Sequence, residues 1–236
     1  MKTGKLYLIP VPISGSLKLS ETLLSKDLPM VENLEYFVSE TPKIARAFLK
    51  GISLNKKIQD IDISQLDKNT EDDTLEDLLE PILKGENMGL ISDVGAPSIA
   101  DPGYRLVKAA QSKGVECVPL VGPSSIFLAL MASGLNGQSF AFYGYLPKER
   151  GRKRKKIKTL ERIAQNTKQT QIFMETPYKN QNMLEDILDV CEEETYLCIA
   201  QEVMGEREYI VTKNIKEWKR EQKRLEKIPC LFLINT

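Results

Sequence analysis

Short apolar runs closed by proline or glycine recur along the first half of the chain, and segments of helical period separate them. Lys5-Leu6-Tyr7-Leu8-Ile9, closed by Pro10-Val11-Pro12, reads as a buried strand and a turn. Residues 17–28 are predicted to form a helix and 35–39 a second strand. Thr41-Pro42 then starts a helix whose apolar face is Ile44, Ala45, Phe48 and Leu49, with Gly51 as its stop. The polar stretch at 60–80 is predicted to begin as a solvated loop and to enter a helix near Asp73. A strand at 88–93, a helix at 104–113, a strand at 115–121 and an apolar helix at 126–132 follow. The order β-α-β-α-α-β-α-β-α implies a mainly parallel sheet covered by helices.

The second half changes pattern. Strands are predicted at 140–146, 170–175, 196–202, 208–213 and 229–234, the third and fourth forming a hairpin around Gly205. Helices are predicted at 148–168, 182–190 and 215–227. The fold class is therefore α/β, with a mainly parallel N-terminal sheet and a mixed C-terminal sheet. The natural boundary lies near Val121, giving domains 1–121 and 122–236.

Composition removes several chemistries. The 236 residues contain no histidine, which excludes serine–histidine triads, histidine general bases and histidine metal ligands. Lysine plus arginine balances aspartate plus glutamate at 33 each, so net charge alone does not point to nucleic acid. The nine acids of residues 60–80 are irregularly spaced and fit no ligand motif, and no metal is expected. Cys117, Cys191, Cys198 and Cys230 form no C-x-x-C pair and are expected as buried thiols in a reducing compartment. The first dozen residues do not read as a signal peptide, and no apolar run approaches membrane-spanning length. A soluble, cytoplasmic protein is the expectation.

The densest candidate chemistry lies in Ser92-Asp93-Val94-Gly95-Ala96-Pro97-Ser98-Ile99-Ala100-Asp101-Pro102-Gly103, between a strand and a helix. As structure alone, this is a sharp turn in which glycines take difficult backbone angles and aspartates cap. As a site, bare backbone and carboxylates stand at the carboxyl end of a buried strand, where open α/β sheets bind ligands. Neither G-x-G-x-x-G nor G-x-x-x-x-G-K-[ST] is present, so a Rossmann fingerprint and a P-loop are unsupported.

This stretch resembles the S-D-A-G-T-P-x-I-S-D-P-G motif of the tetrapyrrole methylase superfamily, and more narrowly the branch that methylates a ribose 2'-hydroxyl of small-subunit ribosomal RNA. The resemblance continues in order along the chain. Leu6 to Ile13 is similar to L-Y-L-V-A-T-P-I, and Gly122-Pro123-Ser124-Ser125 with Ser133-Gly134-Leu135 is similar to G-P-S-A…S-G-L. Phe142-Tyr143-Gly144-Tyr145-Leu146-Pro147 is similar to F-x-G-F-L-P, and Met174-Glu175-Thr176-Pro177-Tyr178-Lys179 to Y-E-S-P-H-R. The resemblance implies a two-domain methyltransferase, usually homodimeric, holding S-adenosylmethionine in the cleft between domains. By position it makes Pro10, Asp93, Val94, Gly95, Ala96, Ser124, Ser125 and Met174 the cofactor-binding candidates.

A ribose hydroxyl is a poor nucleophile and benefits from a general base. Without histidine the candidates are Glu40, Asp101, Glu175 and Glu202, each near a strand end. Glu175 and Glu40 are favoured because they lie in family-like motifs. The acceptor side departs from the ribosomal branch: A-E-D-T-R is replaced by Val38-Ser39-Glu40-Thr41-Pro42, and E-L-T-K-x-x-E-E by Glu202-Val203-Met204-Gly205-Glu206-Arg207-Glu208-Tyr209. The central threonine is Ala96. Arg152, Lys153, Arg154, Lys155 and Lys156 form a dense basic segment, read either as a solvated helix face or as a phosphate-binding patch for ribosomal RNA. Three readings stay open: a methyltransferase acting on small-subunit ribosomal RNA, the same chemistry on a tetrapyrrole or other small molecule, and a non-catalytic RNA-binding or assembly protein.

Overall fold

The computed structural model describes residues 3–236, and its chain divides into two compact units between Ser124 and Ser125. The first unit is a sheet of five parallel strands in the order β3-β2-β4-β1-β5. They are β1 (Lys5–Ile9), β2 (Tyr36–Ser39), β3 (Asp62–Gln65), β4 (Met88–Ile91) and β5 (Glu116–Pro119). Helices α1 (Leu28–Glu32), α2 (Pro42–Leu49), α3 (Thr74–Leu78), α4 (Glu80–Leu83) and α5 (Gly103–Ser112) connect them. Alternate strand residues serve two cores. Ile9, Phe37, Ile63 and Ile91 pack with Val31, Ala45 and Leu49 of α1 and α2. Leu6, Val38, Met88 and Leu90 pack with Leu75, Ile82, Leu106 and Ala110 of α3, α4 and α5 and with Leu79 between α3 and α4. Burial on both faces explains why the central strands read as continuous apolar runs.

Two expectations fail here. The helix expected over 17–28 is replaced by a 3-10 turn at Leu19–Glu21, and α1 begins only at Leu28. Thr22 Oγ1 donates to the Leu19 carbonyl at 3.1 Å, and Pro29 sits in the first turn of α1, which suits a helix start rather than an interior. The predicted loop after Asp60 contains β3, an edge strand with one partner, whose only buried residue is Ile63. A short strand of polar residues around one apolar position gives no periodic signal, and polar composition is how edge strands avoid further pairing.

The second unit carries β6 (Phe140–Tyr145), β7 (Thr170–Glu175), β8 (Tyr196–Gln201), β9 (Tyr209–Asn214) and β10 (Cys230–Asn235) in the order β6-β7-β10-β8-β9. Only β6 and β7 are parallel, so the sheet is mixed, and β8 and β9 form the expected antiparallel pair. Its helices are α6 (Ser125–Ser133), α7 (Arg150–Thr167), α8 (Asn180–Val190) and α9 (Ile215–Glu221). Trp218 is fully buried and its indole N–H donates to the Leu197 carbonyl at 2.8 Å, pinning α9 to β8. The helix expected to reach Lys227 stops at Glu221, because Gln222 takes a left-handed conformation. Cys191, Cys198 and Cys230 are buried and Cys117 half-buried, all free; burial raises each thiol, Cys198 to about 11, so they are poor nucleophiles. Among the described residues no helix is long and apolar enough to cross a membrane.

Candidate functional site

The connection leaving β1 runs toward β2 on the face of α1, whereas the one leaving β4 runs toward β5 on the face of α5. Adjacent strands with divergent connections leave a crevice beyond their carboxyl ends, the position where open α/β sheets bind ligands. Pro10 and Val11 follow β1 there, and Ser92 to Ala96 follow β4. The Val11 N–H donates to the Gly95 carbonyl at 2.9 Å, and Ser92 Oγ donates to the same carbonyl at 2.9 Å. Gly95 has a left-handed φ of +70°, and a Cβ there would stand 3.1 Å from the Ile13 side chain. After β5, a Cβ on Gly122 would come within 2.4 Å of Pro10. Only glycines let these three loops lie against one another.

The loop after β2 joins this edge. Thr41 donates its backbone N–H and its hydroxyl to Asp93, at 3.1 and 2.7 Å. Asp101 is tied inside its own loop, accepting from Ser98 N at 2.9 Å and Gly103 N at 2.7 Å, while Ser98 and Ala100 hold left-handed φ values of 69° and 62°. Left-handed backbone at two non-glycine positions is strained, and such strain clusters at ligand sites.

Glu40, half-buried at the end of β2, has no comparable tie. Burial pushes its carboxyl above the usual range, and the negative charges of Asp93, Asp101 and Asp67 push it further, against one opposing cation, Lys68. Burial also raises Asp101, partly offset by its two backbone donors. Glu40 and Asp101 line an open cavity of about 660 Å³ with Lys68, Ser98, Tyr104 and Arg105. Lys68 and Arg105 were missed from sequence. Lys68 follows the unrecognised strand β3, and Arg105 is recruited from α5 by Asp72, bonded at 3.0 Å from its Nε.

The second unit treats its candidate acid differently. Glu175 ends β7, and its Oε2 accepts from Lys153 Nζ at 3.0 Å, while Oε1 accepts from Thr176 N at 2.8 Å. Burial raises the Glu175 carboxyl, but Thr176 and Lys153 outweigh it and hold the group below the ordinary range. This weakens the case for Glu175 as a base. Lys153 is only 5% exposed, so it leaves the expected phosphate-binding set: Gly151, Arg152 and Lys155 face outward while Lys153 lies on the inward stripe of α7 with Ile157 and Leu160. Arg154 is occupied by Asp186 and Asp189, at 3.3 and 2.9 Å. Arg152 and Lys155 remain exposed, and Lys156 lies 4.7 Å over the Tyr143 ring. Met174 is half-buried beside Glu175. Ser124 closes the first unit and Ser125 opens α6.

Residues 26–218 match the family model of the tetrapyrrole (corrin/porphyrin) methylases. The chain belongs to this family. It is a methyltransferase, and S-adenosylmethionine is the donor that family membership implies. The chain is 31% identical to ribosomal RNA small subunit methyltransferase I of Buchnera aphidicola, over 99% of its own length and 79% of that protein. The Haemophilus influenzae protein of that name is 33% identical, over 92% of this chain and 73% of the relative. The corresponding Escherichia coli O157:H7 protein is 30% identical over 85% of this chain and 65% of the relative. Among solved structures the fold is shared with the methyltransferase CobJ, at a TM-score of 0.63 and 15% identity, covering 99% and 95% of the two chains. It is shared too with uroporphyrin-III-C-methyltransferase of Thermus thermophilus, at a TM-score of 0.57 and 17% identity over 98% and 94%. The chain therefore has the family's two-sheet fold, and these sequence relatives carry the name ribosomal RNA small subunit methyltransferase I.

Proposed function

We propose that this chain transfers a methyl group from S-adenosylmethionine to a ribose 2'-hydroxyl of small-subunit ribosomal RNA. The observation that carries the proposal is the run of relatives about 30% identical, named for ribosomal RNA small subunit methylation, against 17% identity to the solved uroporphyrin-III-C-methyltransferase. The exposed cations Arg152 and Lys155 on α7 are available to phosphates, whose contacts supply most of the sequence-independent affinity for RNA.

The loops after β1, β4 and β5 suit this donor. It carries two positive charges, and the carboxylates of Glu40, Asp93 and Asp101 gather at this edge with Lys68 opposing them. The bare backbone at Gly95 and Gly122 admits a ligand to close approach. Pro10, Asp93, Val94, Gly95, Ala96, Ser124, Ser125 and Met174 are the residues proposed to hold it. When bound, S-adenosylmethionine supplies an electrophilic methyl group on a sulfonium, whose departure leaves a neutral thioether. The protein's work is alignment of the hydroxyl with that methyl, and removal of one proton. Glu40 is the proposed acceptor of that proton, because it is ionisable, half-buried and without a hydrogen-bond donor of its own. Glu175, committed to Lys153 and Thr176, is not the proposed base.

The test is a labelled-methyl transfer assay on small ribosomal subunits from a strain lacking the activity. Label in ribose of the subunit RNA is expected. Label on an added tetrapyrrole, with none in RNA, would replace this reading with the small-molecule one. Homodimerisation and a cytoplasmic location belong to the same proposal, and sedimentation equilibrium of the purified chain would report the first.

A further inference from the structure

Tyr178 is the most exposed large apolar side chain on the described surface, at 81%. It stands three residues beyond the carboxyl end of β7, in the 3-10 turn Pro177–Lys179. On the neighbouring parallel strand, Tyr145 is also exposed, in register with Met174. Two bare aromatic rings thus follow the carboxyl ends of the same parallel pair that presents Met174 and Glu175.

The surroundings of Tyr178 are built rather than loose. Asn180, 1% exposed, donates from Nδ2 to the Ile228 carbonyl at 2.7 Å and to the Glu226 carbonyl at 3.4 Å. Gln201, also buried, donates to the same Glu226 carbonyl at 3.1 Å. These buried amides fix the segment on either side of Lys227, whose ammonium lies 5.9 Å from the Tyr178 ring centroid. The neighbouring acid Glu226 shares the Arg207 guanidinium, at 2.9 Å, with Glu202, at 3.1 Å. The face therefore offers an aromatic ring with cations at Lys179 and Lys227.

An unpaired base stacks on such a ring while its phosphates meet the ammonium groups. Tyr143 does not offer the same: it is half-buried and its hydroxyl donates to Gln171 at 2.8 Å. We infer that Tyr178, flanked by Lys179 and Lys227, is a stacking platform for an unpaired base of single-stranded RNA. This inference rests on the RNA reading of the preceding section.

The test uses the full chain and a short unstructured RNA oligonucleotide carrying 2-aminopurine, whose fluorescence is quenched on stacking. Tyr178→Ala is expected to weaken RNA binding by about 5- to 150-fold, the equivalent of one lost base–aromatic stack, and to abolish the quench. Tyr178→Phe should restore both, since the ring and not the hydroxyl stacks. Lys227→Ala should reduce the slope of log affinity against log salt by about 0.7, one single-strand phosphate contact. S-adenosylmethionine affinity serves as the control for folding. Unchanged RNA binding by Tyr178→Ala, or an equal loss in Tyr178→Phe, would overturn the inference. Loss of binding to whole subunits with oligonucleotide binding retained would also overturn it, assigning the face to a ribosomal protein. If the wild-type chain binds no RNA, the underlying RNA reading fails in that arm alone, before any variant is compared.

Discussion

Glu40 and Glu175 occupy equivalent places, each at the carboxyl end of a parallel strand in its own unit. Their chemistry diverges because of what stands opposite. Glu175 meets a buried lysine and two donors from Thr176, so its ionised form is favoured and it is held as a structural anion. Glu40 has no such donors: burial, and then the negative charges of Asp93, Asp101 and Asp67, raise its carboxyl, which makes its ionised form the stronger base. Residue type and topology do not separate the two; the sign of the neighbouring charge does.

The largest expected break in this contrast is kinetic. Glu40→Gln should lower kcat by roughly 10²- to 10⁴-fold in the labelled-methyl assay, the usual range for loss of a general base, with donor affinity nearly preserved. The wild-type rate should fall as pH drops through the Glu40 pKa, raised above the ordinary glutamate range, and the variant should lose that acidic limb. A variant with wild-type kcat would remove Glu40 from the chemistry.

Next comes stability. Lys153→Met leaves Glu175 buried without its counterion and should cost about 3–5 kcal/mol in denaturant unfolding. Adding Glu175→Gln should recover much of that loss, because the uncompensated charge is gone; an unrecovered double variant would mean that Lys153 acts by packing alone.

The pH dependence of stability runs in opposite directions for the two acids. The folded pKa of Glu175 lies below the ordinary glutamate value of 4.5, so its contribution is present above that value and is lost as pH falls through the folded pKa. The folded pKa of Glu40 lies above 4.5, so its ionisation opposes folding at neutral pH, and that penalty fades as pH falls through the folded pKa. Urea titrations of Glu40→Gln and Glu175→Gln between neutral and acidic pH should therefore show the first variant stabilised at neutral pH and the second destabilised.

Smaller effects probe the strand-end loops of the first unit. Thr41→Val removes the hydroxyl bonded to the Asp93 carboxylate and should cost about 1.5–3 kcal/mol. Gly95→Ala forces a side chain into a left-handed backbone, at about 1–2 kcal/mol, and should weaken donor binding measured by calorimetry.

Local pattern carried much of the architecture. Apolar runs bounded by Pro10, Gly51, Gly114 and Gly122 mark where strands and helices stop, because those residues limit backbone geometry regardless of context. The motif at Ser92 to Gly103, with its neighbours in order, was enough to place the chain in its family. What local pattern missed was short and polar. Strand β3 has one buried residue, and α9 ends on Gln222 in a left-handed turn that composition does not announce.

The sequence by itself determined the two α/β units and the absence of histidine chemistry, which follow from periodicity and residue identity, and, through its resemblance to a known family, the strand-end loop that marks a methyltransferase. Only the tertiary structure decided which charges face which. A run of five cations from Arg152 to Lys156 looks uniform on paper. The helix turns Lys153 inward to Glu175, commits Arg154 to Asp186 and Asp189, and leaves Arg152 and Lys155 outside. Pairing and burial are properties of residues distant in the chain brought together, and they set the charge state on which the proposed chemistry depends.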